Sequence, residues 1–232
     1  MHVCNKGEWE NVFNELITHI IDSGLYDVCT TIFIGCSCEV CDVSLMDIPK
    51  KYNKAILLEK KPNDTHENET INELIEFSKS NDGYILYLHT KGITNKSVNQ
   101  IYWRHFMTTY NVDLWRVCVD LLQQGYYTVG CNYFLLYLHY HYSGNYWWTT
   151  TDYLKTLDYI NKKNITNRYE AEFKLLKNYK KNKHINLGTE MWISYMPMNI
   201  GLYSKNQIDF KDNYRRHNYH KKYPEEIPII IF

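Results

Sequence analysis

Three short stretches of this 232-residue chain carry residue types that can do chemistry. The first is His89-Thr90-Lys91-Gly92, an imidazole, a hydroxyl and an ammonium closed by glycine. It follows the apolar run Tyr84 to Leu88, so it reads as the polar tip of a buried strand, where open α/β sheets hold ligands. Lys91 is a point charge suited to a diphosphate. His89 and Thr90 can hydrogen-bond a sugar or phosphate, and Gly92 permits close approach. Trp103 and Arg104 follow at the start of a helix-like segment, from which Arg104 can reach back to the same anion. The second stretch is His141-Tyr-Ser143-Gly144-Asn145-Tyr-Trp147-Trp148. Adjacent strand residues face opposite ways, so one indole should plug the core while the other lines a cleft. Amide and imidazole groups beside an aromatic wall suit a sugar. Asn132, after the strand-like run Tyr126 to Cys131, is a further substrate contact. The third is Arg168-Tyr-Glu170-Ala-Glu172, where a carboxylate facing the cleft could take a proton from a hydroxyl. Glu172 is the first choice and Glu170 the second. Each stretch also has a plainer reading: polar residues decorating the surface after a strand, a turn capping a core strand, or acids favoured at a helix start.

The elements that must position these residues are legible in the apolar spacing. Trp9, Val12, Phe13, Leu16, Ile17, Ile20 and Ile21 recur three and four apart, as on one helix face, and Gly24 ends that helix. Val28 to Gly35 and Ala55 to Glu59 read as strands, Lys60 to Glu69 as a polar loop, and Thr70 to Ser80 as a helix. Trp103 to Gln124 reads as a helix or helix pair stopped by Gly125; Phe134 to Tyr140 is ambiguous. Further helices start at Thr151-Asp152 and Asn167, and Glu190 to Tyr203 supplies late strands. This alternation predicts an α/β fold with a mostly parallel central sheet and helices on both faces.

Composition narrows the function classes. Lys+Arg 26 balances Asp+Glu 26, so no net charge draws the chain to nucleic acid. Basic clusters at Lys174 to His184 and Arg215 to Lys222 read as solvated faces that could also meet a phosphate. No window approaches the ~20 apolar residues of a membrane span, and Met1 to Glu10 is not a signal peptide. A cytoplasmic location is expected. The seven cysteines are expected to be free or buried thiols. Cys36, Cys38 and Cys41 lack the partner pair that a tetrahedral zinc shell requires.

Together, Tyr87-Leu-His-Thr-Lys-Gly92, Trp103-Arg104 and His141 to Trp148 resemble a family of candidate glycosyltransferases of large DNA viruses and some bacteria. Ser23-Gly-Leu-Tyr26 and Arg168 to Glu172 match its other blocks, and the chain is distantly similar to the rhamnan-synthesis F proteins. The resemblance covers roughly residues 1 to 200. It implies a GT-A-like fold and sugar transfer from a nucleoside-diphosphate sugar to a glycan acceptor, in viral or surface polysaccharide synthesis. It further implies a single domain over 1–208, with a nucleotide-sugar-binding half at 1–131 and an acceptor half at 132–208. Residues 209–232 would be a charged C-terminal tail. Manganese or magnesium could assist, yet the expected strand end carries no Asp-x-Asp. No metal ligands are therefore assigned, and Lys91 is expected to take over part of that charge role. Under this reading Lys91 and Arg104 neutralise the diphosphate, while His89, His141 and Asn145 position sugar hydroxyls. Trp147 or Trp148 forms the floor. Two other classes remain open. One is a carbohydrate-binding module on the same fold. The other is an assembly protein whose tail docks a partner, a homo-oligomer included.

Overall fold

The computed structural model describes residues 1–4, 6–37, 43–59, 61–93, 97–136, 139–177, 183–187 and 228–232. In chain order the elements are β1 (His2–Cys4), α1 (Trp9–Asp22), α2 (Leu25–Val28), β2 (Cys29–Ser37), α3 (Val43–Lys51), β3 (Ala55–Leu57), α4 (Asn68–Ser80) and β4 (Tyr84–Tyr87). Then come α5 (Val98–Thr108), a π-helical turn over Thr109–Asp113, α6 (Trp115–Gln123), β5 (Thr128–Gly130), β6 (Tyr133–Leu136), β7 (His139–Tyr142) and β8 (Trp147–Thr150). The last are α7 (Thr151–Leu154), α8 (Glu170–Lys174), β9 (His184–Asn186) and β10 (Ile229–Ile231).

Eight strands form one sheet in the order β1-β2-β10-β4-β8-β5-β9, with β3 against β2. All pairings are parallel except those of β8, which runs antiparallel to both β4 and β5. The chain is therefore mixed α/β with a mostly parallel sheet. Alternate strand residues feed two cores. Leu86, Leu88, Trp148, Ile229 and Ile231 pack with α1, α5 and α6 on one face. Ile85, Tyr87, Trp147, Ile230 and Phe232 pack with α4, α7 and α8 on the other. Helix α1 buries the expected face except Ile21, which is exposed, and Gly24 takes the left-handed conformation (φ 73°) that stops it.

The expected tail is corrected at its end. Ile229–Ile231 is a central strand, buried between β2 and β4. A run of Ile-Ile-Ile-Phe on an exposed tail would leave apolar area in water that the sheet interior removes. Moreover, β10 and β1 lie end to end in one line. Ile231 pairs with Leu86, and His2 bridges to His89. Between them the Leu88 N–H donates to the Phe232 carbonyl at 2.9 Å, while the Leu88 carbonyl accepts from His2 N–H at 2.8 Å. On the other side Ile231 faces Ile32 and His2 faces Gly35, so the register carries across the junction; against β2 it shifts earlier, between Ile229 and Ile230.

The mainly parallel arrangement puts several turns at one edge. Strands β4 and β5 both end there, giving His89–Gly92 and Asn132, and antiparallel β8 begins there, giving Ser143–Tyr146. Hairpin β6–β7 rises from the same edge. The expected late strands at 190–203, the rest of the 209–227 tail, the basic cluster at 215–222, and Cys38 and Cys41 lie outside the described residues. Cys29 and Cys118 are free thiols, both buried. Burial pushes the Cys29 thiol up to about 11.

If β10 is central, Ile230→Ala should cost about 2–4 kcal/mol in urea unfolding, as expected of a buried Ile truncation. A cost below about 1 kcal/mol would place that residue outside the core.

Candidate functional site

The site begins at a carboxylate that apolar spacing does not reveal. Glu67, just before α4, is 16% exposed at its side chain. Its Oε1 lies 3.1 Å from His89 Nδ1. Its Oε2 accepts from Tyr87 Oη at 2.9 Å and from Asn145 Nδ2 at 2.8 Å. The other His89 nitrogen, Nε2, is 2.8 Å from the Gly144 carbonyl. Both ring nitrogens thus face acceptors, an arrangement that a ring carrying hydrogens on both satisfies. Asn145 completes the frame by accepting from Trp147 Nε1 at 2.7 Å. Tyr146 Oη donates to the His89 carbonyl at 2.6 Å. Burial alone would raise the Glu67 carboxyl, but the His89 ring, with help from His2 and Asn145, holds it well below the usual carboxylate range.

This network joins the strand tip to the Ser143–Asn145 turn, so two of the predicted stretches are in direct contact. It also changes what several residues do. His89 and the Asn145 amide, expected on sugar hydroxyls, are engaged inside the protein. Arg104, expected on the anion, turns inward: its Nε and Nη2 bond Glu15 of α1 at 2.9 and 2.7 Å, and its Nη1 bonds the Lys91 carbonyl at 3.0 Å. Trp147 and Trp148 do point to opposite faces, but both are buried, at 2% and 0% exposed. Neither can floor a cleft, because helices cover both sides of the sheet. Trp147 stacks on Tyr87 with centroids 4.9 Å apart, and Trp148 Nε1 donates to the Asn111 carbonyl at 2.7 Å. Thr90 Oγ1 accepts from Cys4 N–H, and the Asn132 carbonyl accepts from Ser143 N–H.

Lys91 stays available at the edge. It is half-buried, with Nζ 4.5 Å from the Trp103 ring centroid. The indole wall is thus half-buried Trp103, on α5, whose N-cap Ser97 accepts from Gln100 N–H. Gly144 must be glycine here: with φ 92°, a Cβ would lie 2.2 Å from Met107 Sδ and 3.1 Å from the Trp103 ring. Gly92 also has positive φ, 79°, beside Arg104. His141, on β7, lies within the field of the Lys91 ammonium. Burial lowers its pKa, Glu172 opposes that effect, and the Lys91 ammonium adds to it. His141 Nε2 stands 3.9 Å from Glu172 Oε2 on α8. Glu170 instead accepts from Asn167 Nδ2 at 3.5 Å. Arg168 lies on the surface, its guanidinium 4.9 Å from the Tyr169 ring centroid. The structure pairs Lys91 with Trp103 and His141 with Glu172, and leaves Arg168 exposed on the Tyr169 ring.

A family model described as a domain of unknown function, DUF8361, matches residues 11–196, well over half of the chain. The chain belongs to the DUF8361 family. No curated protein matches it, and no solved structure matches it. The matched DUF8361 span includes Glu67, the strand tip, the Ser-Gly-Asn turn and α8.

The nearby carboxylates Glu67 and Glu15 are already paired with His89 and Arg104, and no group of three His, Cys, Asp or Glu side chains converges among the described residues. Among those residues, no helix is long and apolar enough to cross a membrane.

Glu67→Gln should destabilise the fold by about 3 kcal/mol, since it removes one partner of a buried pair. The depressed Glu67 carboxyl stabilises the fold above its ordinary pKa, about 4.3, and that contribution is lost as pH falls through the folded value. Chemical unfolding across pH should thus show a shallower acid loss below about pH 4 in the variant. Burial holds His2 down at about 4, so protonation favours the unfolded state between pH 6.5 and 4. His2→Asn should flatten the stability profile in that upper window alone.

Proposed function

We propose that this DUF8361 protein is a glycosyltransferase with a GT-A-like fold, moving a sugar from a nucleoside-diphosphate sugar to a hydroxyl of a glycan acceptor. The observation that carries the reading is the grouping of an indole-backed ammonium, Lys91 on Trp103, with the His141–Glu172 pair at the C-terminal edge of the parallel strands. In this reaction the acceptor oxygen bonds to the anomeric carbon as the bond from that carbon to the diphosphate breaks. The departing electron pair stays on the diphosphate oxygen, where Lys91 offsets the developing charge. Glu172, next to His141, takes the acceptor proton in an inverting reaction, and Glu170 is the second choice. With Arg104 committed to Glu15, the burden on Lys91 is greater than a Lys–Arg pair would carry.

In this reading the nucleotide-sugar half is 1–131 and the acceptor half 132–208, in a cytoplasmic enzyme of viral or surface polysaccharide synthesis. A carbohydrate-binding module is the second reading. It is favoured by one observation: Arg104, expected on the diphosphate, is spent on Glu15.

A panel of nucleotide sugars, each with and without manganese, should raise the thermal midpoint of the parent protein and not that of Lys91→Ala. Turnover at saturating acceptor should fall on the order of a hundredfold or more in Lys91→Ala, as when a group acting on transition-state charge is removed. Parental turnover in that variant would remove Lys91 from the mechanism. Glycan binding without nucleotide-sugar affinity would favour the module.

A further inference from the structure

Two neighbouring residues at the start of α4 hold different parts of the molecule. Glu67, just before the helix, holds the strand tip through His89 and the following turn through Asn145. Asn68, the first helical residue, holds the segment that leads into α8. It is fully buried, and its Nδ2 donates to the Ile165 and Asn167 carbonyls at 2.6 and 2.9 Å. Both partners are carbonyls, so only the N–H end of the amide can face them. Among the described residues its Oδ1 has no hydrogen-bond partner. A buried amide with an idle acceptor is costly, and the two donated bonds offset that cost.

The Asn167 carbonyl is where α8 begins. It also accepts from Glu170 N–H at 3.2 Å, and Asn167 Oδ1 accepts from Tyr169 N–H at 3.1 Å. Glu172 follows in the same helix, 3.9 Å from His141, and the Phe173 ring meets the His141 ring edge-on at 5.3 Å. Helix α8 has 5 residues, too few to persist without tertiary support. Its far end is tied by Lys174 Nζ on the Tyr159 carbonyl at 3.2 Å and by Tyr153 Oη on the Leu175 carbonyl at 2.7 Å. Its near end is tied by Asn68.

We propose that Asn68 is a positioning residue for the reaction: through the Asn167 carbonyl it sets α8 so that Glu172 stands against His141. The proposal rests on the transferase reading, in which Glu172 takes the acceptor proton, and it identifies what holds that base. Asn68 acts through the backbone that carries the carboxylate. The start of α4 thereby sets two things at once. Glu67 sets the strand tip that carries Lys91, and Asn68 sets the base. Such a tie matters because misplacing a reacting group by about 1 Å can cost on the order of a hundredfold in rate.

The test is a proton NMR titration of the full chain, following the His141 ring signal, which is assigned by its loss in His141→Gln. Burial lowers the His141 pKa, Glu172 and the His139 carbonyl raise it, and the Lys91 ammonium and the His139 ring lower it. Glu172→Gln should therefore move the His141 midpoint down. Asn68→Ala should move it down by most of the same shift, and should add nothing in the Glu172→Gln background. Asn68→Ser, which keeps one donor, should fall between, and it decides the matter if Asn68→Ala does not fold. An anchor with no part in the pair would lower the melting temperature and leave the His141 midpoint at its parental value. That result, a full second fall in the double variant, or an unmoved midpoint in Glu172→Gln would each overturn the proposal. Thermal stabilisation of the parent protein by nucleotide sugar decides the transferase reading separately. Its absence, with the Asn68–Glu172 coupling intact, leaves Asn68 setting a His–Glu pair in a protein that is not a transferase.

Discussion

One buried ion pair holds the working edge of this protein together. Glu67 meets His89 at the end of β4, and through Tyr87, Asn145 and Gly144 the same two side chains fix the turn that leads into β8. A buried carboxylate is tolerated only when its oxygens are satisfied and its charge is matched. Here both oxygens are used and an imidazole supplies the match. The cost of disturbing any member is high, so the turn has one geometry. Lys91, Trp103 and His141 are set around that fixed frame.

The second ion pair has a parallel effect. Arg104 clamps α5 to α1 through Glu15 and also bonds the Lys91 carbonyl. It thereby fixes the backbone from which the Lys91 side chain leaves, while the Trp103 ring limits where the ammonium goes. Residues with the chemistry of ligand contacts can thus serve the site by shaping it. A static charge or an indole near a strand tip is ambiguous until its partners are known.

That ambiguity explains what the sequence could show. Period-2 and period-3.6 spacing placed β2, β4, α1, α4 and the opposite facing of Trp147 and Trp148, because burial leaves a repeating mark. Spacing could not show that both indoles are covered, since their partners are remote in sequence: Trp147 stacks on Tyr87 and Trp148 bonds the Asn111 carbonyl. Glu67 left no mark in the apolar spacing: it sits in a polar stretch, and its partners are far along the chain. A carboxylate near a helix start was the only local signal, and it is a common one. Arg104 read as a free cation because Glu15, its partner, lies on the polar side of α1. The Ile229–Phe232 run was visible as apolar, but charged sequence before it masked its role as a strand.

The in-line junction of β10 and β1 has a consequence for how the polypeptide reaches its native state. Thr30 and Ile229, in contact through a hydrogen bond at 3.1 Å, are 199 positions apart. Contacts of that span are slow to form because a long loop must close first. Until they form, β2 and β4 border a slot with unpaired backbone on both walls, open to any extended segment of a neighbouring nascent chain. The middle of the sheet, usually the first part of such a fold to harden, is here closed by a segment the ribosome delivers after every other described element.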